Sequence, residues 1–226
     1  MCLIFRRDLF LFVCVCCFFF LSFGLSFMSK MLLIPSVNYG KSYNDVSVLF
    51  PQISNKLTKS VKIPREFWCW NNSKNTQNLP KHCYVSDWRI DAIWRNEIYS
   101  LQHVLIPNIA IAPDFTVYRD DPVMQAVYQV WRSRCVARYW QDAGVFVIPT
   151  LSWARPEINA LLFQGLERCD VVAIRTATKG VEREWRESVE QFLMMCKPKL
   201  VLQFGTKKGL DVWNCDVVNL NVANRK

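Results

Sequence analysis

The stretch that decides the fold is residues 109–150, which read IAIAPDFTVYRDDPVMQAVYQVWRSRCVARYWQDAGVFVIPT. It opens on a short apolar run at 109–112 and closes on a second one at 145–148. Short, continuous apolar runs are typical of strands that are covered on both faces of a parallel sheet. The residues between them carry an apolar stripe at helical spacing, and Asp121 with Pro122 can begin this helix. The stretch therefore predicts a strand, a helix and a second strand.

The same alternation continues beyond this unit. Further strand-like runs occupy residues 171–174 and 200–204, and helical patterns occupy 156–166 and 181–196. Strands that alternate with helices in this way form right-handed crossovers and build a parallel sheet. The chain is too short for a complete eight-stranded barrel, which takes about 250 residues. The predicted fold class is therefore α/β, with a mainly parallel sheet of repeated βαβ units in an open sheet or a partial barrel.

The chain before this region divides into a helical part and an irregular part. Residues 87–103 carry apolar side chains at helical spacing and predict one amphipathic helix, with which an α/β domain of residues 87–226 begins. Residues 28–86 are rich in Pro and Asn, and they predict an irregular segment with short strands at best. We expect this segment to pack on the core of the α/β domain.

Residues 1–27 form a hydrophobic leader. Within it, residues 9–27 are uncharged and about long enough to cross a bilayer as a helix. Three interpretations stay open: a membrane anchor, a cleaved signal peptide, or an artefact of start-site choice. If translation starts at Met28 or Met31, we expect a cytoplasmic protein; otherwise residues 9–27 anchor it to a membrane.

Several motifs in the α/β region resemble one known family. They are APDFTVYRDDP at residues 112–122, VWRSR at 130–134 and QDAGVFVIP at 141–149 followed by Trp153. This order is similar to that of an uncharacterised domain-of-unknown-function family of bacterial, phage and mobile-element proteins, whose pattern runs SPDFSLYRDMP, then YRSR, then GxxVIPNxxW. The chain departs from the pattern at 175–180, where RTATKG stands in place of a Gly-Thr-His-Gly-like turn. The resemblance implies an α/β fold and a phage or bacterial origin, and it implies no activity.

The candidate site residues follow the predicted strands. Ligands of parallel α/β sheets bind beyond the carboxyl ends of the strands, where the loops converge. This rule selects Asp114, Tyr118 and Arg119 after the first strand, Thr150 and Trp153 after the second, Arg175 after the third and Gln203 at the end of the fourth. Asp114 is the candidate catalytic residue, because it is the only acid immediately at a strand end.

Two arginines of the predicted helix, Arg132 and Arg134, complete the binding candidates. Residues two apart on a helix cannot share a face. We therefore expect one of them to turn toward the other candidates or to pair with Asp114 or Asp120.

The remaining motifs argue against several classes of protein. The body of the chain has no Cys-x-x-Cys pair, so no metal site is predicted, and it has neither a Walker nor a Rossmann glycine pattern. The sequence identifies no cofactor and no oligomeric state, and it leaves enzyme status open. A formal net charge of +9, with basic and aromatic residues near the strand ends, favours binding of single-stranded nucleic acid. The alternative is a small-ligand or sugar-processing enzyme with its site around Asp114.

Overall fold

The computed structural model describes residues 49–70, 78–205 and 215–220. Within these ranges the chain has an α/β fold in which every strand pair is parallel, as the sequence predicts. The strands are β1 (Ser54–Asn55), β2 (Trp68–Cys69), β3 (Lys81–Cys83), β4 (Ile109–Pro113), β5 (Phe146–Ile148), β6 (Arg168–Cys169), β7 (Val171–Arg175), β8 (Leu200–Phe204) and β9 (Asp216–Leu220). The helices are α1 (Asp87–Arg95), α2 (Glu97–Leu105), α3 (Val123–Asp142), α4 (Pro156–Leu162) and α5 (Glu182–Cys196).

Seven of these strands follow one another in a single order. Strands β2, β3, β4 and β5 form one ladder, and β7, β8 and β9 form another. A parallel bridge between Thr150 and Ala173 joins the two ladders. Next to this bridge, the Leu151 amide donates to the Ala173 carbonyl at 2.9 Å, and the Ala173 amide donates to the Pro149 carbonyl at 2.9 Å. The carboxyl ends of β4, β5 and β7 therefore lie side by side.

The sheet is curled into a partial barrel. Tyr84, which directly follows β3, contacts Phe204 of β8 with ring centroids 4.7 Å apart. The two strands are four steps apart in the order, which in a flat sheet would separate them by about 19 Å. Phe67, directly before β2, also contacts Phe204, with ring centroids 6.2 Å apart. Side chains on one face of the sheet therefore close over a common interior.

Alternation along the strands divides the core into two clusters. On β4, Ile109 and Ile111 face the interior of the partial barrel, where they join an inner cluster with Ile148 and Leu202. Ala110 and Ala112 of the same strand belong to the outer cluster, in which the helices pack on the sheet. The continuous apolar runs of the sequence thus reflect strands that are buried on both faces.

A buried asparagine fills the gap between β5 and β7 below their bridge. The side-chain amide of Asn55, in β1, donates to the carbonyls of Val147 and Val171, each at 2.9 Å. Its side-chain oxygen accepts from the Val171 amide at 2.8 Å. Asn55 therefore provides the hydrogen bonds between these strands at a level where they do not pair with each other.

The structure corrects two details of the helices. Residues 87–103 form two helices instead of one, because Asn96 has an extended conformation and its side chain accepts from the Tyr99 amide at the start of α2. Asp121 does not cap α3: its carboxylate accepts from the Tyr118 amide at 2.8 Å, and the helix begins after Pro122.

In the ranges that the structure covers, none of the helices is both long enough and apolar enough to cross a bilayer. The apolar run of residues 9–27, together with the rest of the leader, lies outside those ranges.

Candidate functional site

A cleft of about 270 Å³ opens at the carboxyl ends of β4, β5 and β7. Its walls are three segments that follow these strands, residues 114–118, 151–153 and 175–178. Loops leave a parallel sheet at this edge, so side chains that are distant in sequence converge there. The cleft lies where the sequence rule places a site.

Four of the predicted site residues line this cleft: Asp114, Tyr118, Trp153 and Arg175. Asp114 and Trp153 are partly buried, whereas Tyr118 is 67% exposed and Arg175 is exposed. These four residues therefore bring one carboxylate, one guanidinium and two large aromatic side chains to the cleft.

Two buried hydroxyl groups lie behind Asp114. The Thr150 hydroxyl interacts with the Asp114 carboxyl group and lowers its pKa. It also shares a hydrogen bond of 3.0 Å with the hydroxyl of Tyr84. Either hydroxyl can be the donor in this second bond. Thr150, predicted as a contact residue, thus lies fully buried behind the cleft and supports Asp114.

The environment of Asp114 favours its protonated form. Burial raises the pKa of Asp114 to about 7, and the negative charge of Asp87 adds to the rise. The Arg175 guanidinium and the hydrogen bond from Thr150 lower the same pKa without cancelling the effect of burial. At neutral pH this carboxyl group is therefore present in both protonation states, as proton transfer requires.

Asp87 is a second acid beside the cleft. Its carboxylate accepts from the Thr116 amide at 3.1 Å and from the Thr116 hydroxyl at 2.7 Å. These bonds fix the loop that follows β4, in which Thr116 lines the cleft. Sequence reasoning missed Asp87 because it begins a helix, and it missed Tyr84 because β3 has only three residues and shows no periodicity.

Arg175, at the end of β7, is the positive group of the cleft. None of the ion pairs among the described residues involves it. Its positive charge lowers the pKa of Asp114. Burial lowers the pKa of His82 to about 4, and the charge of Arg175 contributes to this shift. The guanidinium is thus electrostatically coupled to Asp114 and is exposed to a ligand in the cleft.

Ser152 adds a buried polar atom to the wall of the cleft. The residue is 6% exposed, and its hydroxyl has no hydrogen-bond partner among the described residues. Because buried hydroxyl groups are normally paired, this atom is suited to a polar group of a bound ligand.

The remaining predicted site residues do not line the cleft. Arg119 is half exposed and pairs with Glu184 at 3.2 Å. Arg132 pairs with Asp91 at 3.4 Å, and its guanidinium lies 3.9 Å from the centroid of the Phe115 ring.

Arg134 and Gln203 are fully buried. Arg134 donates to the Thr150 carbonyl at 3.3 Å, and burial lowers its pKa to about 10. The expected pairing of Arg132 or Arg134 with Asp114 or Asp120 is thus not found. Gln203 lies opposite Ile174 in the β7–β8 ladder.

No group of three or more His, Cys, Asp or Glu side chains that could hold a metal ion occurs in the part of the chain that the structure describes.

Comparison with known proteins identifies relatives among phage proteins. The Gene 1 protein of Mycobacterium phage D29 is 28% identical over 167 residues, which are 70% of this chain and 62% of that protein. The Gene 1 protein of Mycobacterium phage L5 is 27% identical over 158 residues, which are 66% of this chain and 69% of that protein. The chain therefore spans less than two thirds of the D29 relative. No solved structure matches significantly.

A family pattern described as domain of unknown function (DUF4417) matches residues 47–220. The matched range contains all the described strands and every wall of the cleft. These matches confirm the resemblance to a family of phage proteins of unknown function. The chain belongs to the DUF4417 family.

Proposed function

We propose that the cleft binds a small polar ligand with an anionic group and that Asp114 exchanges a proton with it. The observation that carries this proposal is the presence of Asp114 and Arg175 in one cleft at the carboxyl ends of parallel strands. Opposite charges at such an edge can hold and polarise a ligand together. The proposal corresponds to a small-ligand enzyme with its site around Asp114.

Arg175 is suited to hold the anionic group. A guanidinium presents a rigid fork of donors that matches a carboxylate or a phosphate, and such bidentate pairs are among the stronger hydrogen bonds in proteins. Because Arg175 is exposed on the cleft wall, a ligand can reach it without displacing a protein carboxylate. This residue therefore provides the affinity, and the neighbouring Ser152 hydroxyl provides a further polar contact.

Asp114 is suited to the chemistry. A general acid or base works best when its pKa lies near the operating pH, and the pKa of Asp114 is raised to about 7. Tyr84 and Thr150 keep the carboxyl group oriented through their hydroxyl groups. The carboxylate of Asp87 is occupied by Thr116, so Asp114 is the acid available for proton transfer.

The size of the cleft favours a small molecule. Ligand pockets typically measure about 300–1,000 Å³, and this cleft, at about 270 Å³, lies at the lower limit. It holds one compound of the size of a sugar phosphate, a small organic acid or a single nucleotide. The aromatic walls at Trp153 and Tyr118 can cover an apolar face of such a compound.

Single-stranded nucleic acid is the second candidate for the same cleft. Tyr118 is 67% exposed and lines the cleft with Trp153, and aromatic side chains of this kind stack on bases. However, residues 114–121, 150–155 and 175–184 carry five Lys and Arg and five Asp and Glu. This balance provides no net attraction for a phosphate backbone, so the small-ligand function has the stronger support.

The test is a thermal-shift screen of the full chain against small anionic compounds. The panel contains carboxylic and dicarboxylic acids, sugar phosphates and nucleoside monophosphates. A compound present at about 100 times its Kd stabilises the folded state by about 2.7 kcal/mol, which raises Tm by several degrees. We expect such a compound to raise Tm of the wild type and of Arg119→Ala, but not of Arg175→Ala. Both variants remove one exposed guanidinium, so Arg119→Ala is the matched control.

The acid–base part is tested on the compound that the screen identifies. Asp114→Asn should still bind it but should convert it at least about 100-fold more slowly, as loss of a general acid or base predicts. Conversion is followed by proton NMR. The proposal is wrong if no compound raises Tm of the wild type, or if Arg175→Ala responds to the compounds as the wild type does.

A further inference from the structure

We propose that the opposite edge of the sheet binds the phosphate backbone of nucleic acid. This amino-edge surface consists of residues 56–66, 167–170 and 197–199. The three segments lead into β2, β7 and β8 respectively. Because all the strands are parallel, segments that enter them meet at the edge opposite the cleft.

Direct contacts bring the three segments together. The carboxylate of Asp170 pairs with Lys56 at 3.3 Å and with Lys199 at 3.1 Å, and it also accepts from the Leu57 amide at 2.9 Å. Leu57 and Ile63 pack against the inner cluster, so residues 56–66 lie across this end of the partial barrel. The lysines of separate segments are therefore parts of one surface.

This surface carries an excess of positive charge. Its three segments, together with residues 215–216, carry seven Lys and Arg against four Asp and Glu. Asp170 is buried and pairs with two lysines, each of which keeps a side chain that is 66% exposed. Lys59 and Lys62, in the turn between Lys56 and Arg65, are exposed as well. The lysine side chains are therefore accessible to solvent, where a polyanion can reach them.

The composition of the surface favours phosphate groups over bases and over lipid. None of the exposed large apolar side chains of the described residues lies in the three segments. The surface thus has no aromatic platform for stacking and no apolar group for insertion into a bilayer. DNA presents one negative charge per about 1.7 Å of duplex, and lysines that neutralise it release counterions. We therefore expect sequence-independent, salt-dependent binding of a duplex.

The test uses two double variants with the same change of charge. Lys59→Glu with Lys62→Glu alters the amino-edge surface, and Lys179→Glu with Arg183→Glu alters exposed residues at the edge that carries the cleft. The full chain is titrated onto a short fluorescein-labelled DNA duplex, and anisotropy is measured over a series of salt concentrations. Circular dichroism checks that each variant folds.

We expect the wild type to bind and its affinity to fall steeply as salt rises. The amino-edge variant should bind at least about tenfold more weakly at low salt, and the slope of log K against log salt should fall by about 2, one for each lost phosphate contact. At 0.15 M salt, where the Debye length is about 8 Å, the control variant should keep an affinity within about twofold of the wild type, because its charges lie at the other edge.

Three results would overturn this inference: no duplex binding by the wild type at low salt, an equal loss of affinity in both variants, or binding to phosphatidylserine vesicles without binding to the duplex. The small-compound screen on the cleft is independent of all three, so either proposal can fail alone.

Discussion

Asp114 leaves the sheet directly after β4, and its carboxyl group interacts with Thr150, Asp87 and Arg175. Its unfolded-state pKa is near the ordinary value of 3.8, whereas its folded-state pKa is about 7. The folded state therefore binds this proton more tightly than the unfolded state does. Stability from this source is fully present below about pH 4 and is lost as the pH rises to 7 and above.

Asp114→Asn should remove this pH dependence. Since one pKa unit corresponds to about 1.4 kcal/mol, the variant should gain at most about 4 kcal/mol relative to the wild type between pH 4 and pH 8. The gain is measured as the change in free energy of unfolding by urea at the two pH values. Asp120→Asn is the control, because the side chain of Asp120 is 93% exposed and should not reproduce the gain. Equal pH dependence in wild type and Asp114→Asn would contradict the raised pKa.

Gly205 lies against Thr176 of the cleft wall, with no room for a side chain. Its φ is +113°, and a Cβ built there would overlap the hydroxyl of Thr176, which lines the cleft. Gly205→Ala should therefore lower the free energy of unfolding by about 3 kcal/mol, from backbone strain and overpacking together. Gly144→Ala isolates the strain, since φ is +90° there and nothing lies within 4 Å, and it should cost about 1 kcal/mol. Similar losses in urea unfolding of the two variants would show that the overlap with Thr176 does not matter.

The rule of strand ends identifies only some of the residues at the cleft. Asp114 and Arg175 are found because they directly follow continuous apolar runs, so their position at the edge is fixed by the strand itself. The same rule selects Arg119 wrongly, because its guanidinium forms an ion pair with Glu184, which is remote in sequence, and does not line the cleft. Gln203 lies within β8, where the side chains alternate between the two faces of the sheet, and it is buried. A single sequence does not show which side chains of a strand that is covered on both faces contact a ligand.

At the scale of elements, a continuous apolar run decides what is predictable: the three residues of β5 form such a run and are found, whereas the five residues of β9 do not and are missed. Strands β4, β7 and β8 have five residues each, and their apolar runs reveal them. Strands β1 and β2 have two residues each, too few for any periodicity. They exist because tertiary contacts order them, as the hydrogen bonds of Asn55 do for β1.

The break between α1 and α2 had a local signal. Asn is a preferred residue at helix starts, and Asn96 followed by Glu97 marks the beginning of α2. The spacing of apolar residues on both sides of Asn96 nevertheless predicts one continuous helix, because this spacing does not reveal that the helix axis changes direction at Asn96.

Asn55 allows a prediction at this scale. Asn55→Ala removes three hydrogen bonds to the buried backbone groups of Val147 and Val171. Buried polar groups that lose a partner cost about 1–3 kcal/mol each, so we expect a loss of at least about 3 kcal/mol in the free energy of unfolding. Asn96→Ala is the control, because its side chain makes one exposed capping bond, worth about 1 kcal/mol. Urea unfolding measures both, and equal losses would mean that Asn55 does not hold β5 and β7 together.

At the scale of the molecule, the loops at the two edges of the parallel sheet differ in charge and shape. Loops at its carboxyl edge are electrically balanced and enclose a cleft, whereas the loops at its amino edge are basic and exposed. Strands of five residues, such as β7 and β8, place these edges about 16 Å apart. The formal net charge of +9 predicts a polyanionic partner without indicating a face. Only the direction of the strands shows that the excess of basic over acidic residues lies at the amino edge.

The separation of the edges predicts that they act independently at physiological salt. The Debye length is about 8 Å at 0.15 M ionic strength, half the length of the strands, and about 30 Å at 0.01 M. The Lys59→Glu, Lys62→Glu double variant should therefore keep the pH dependence that Asp114 gives to urea unfolding at 0.15 M salt, and Arg175→Ala should keep the duplex affinity of the wild type. At 0.01 M salt the unscreened charges should couple the two edges, so that the double variant raises the pKa of Asp114, because fewer cations then stabilise its carboxylate. Coupling of equal size at both salt concentrations would require a conformational link through the sheet, since screening would not affect it.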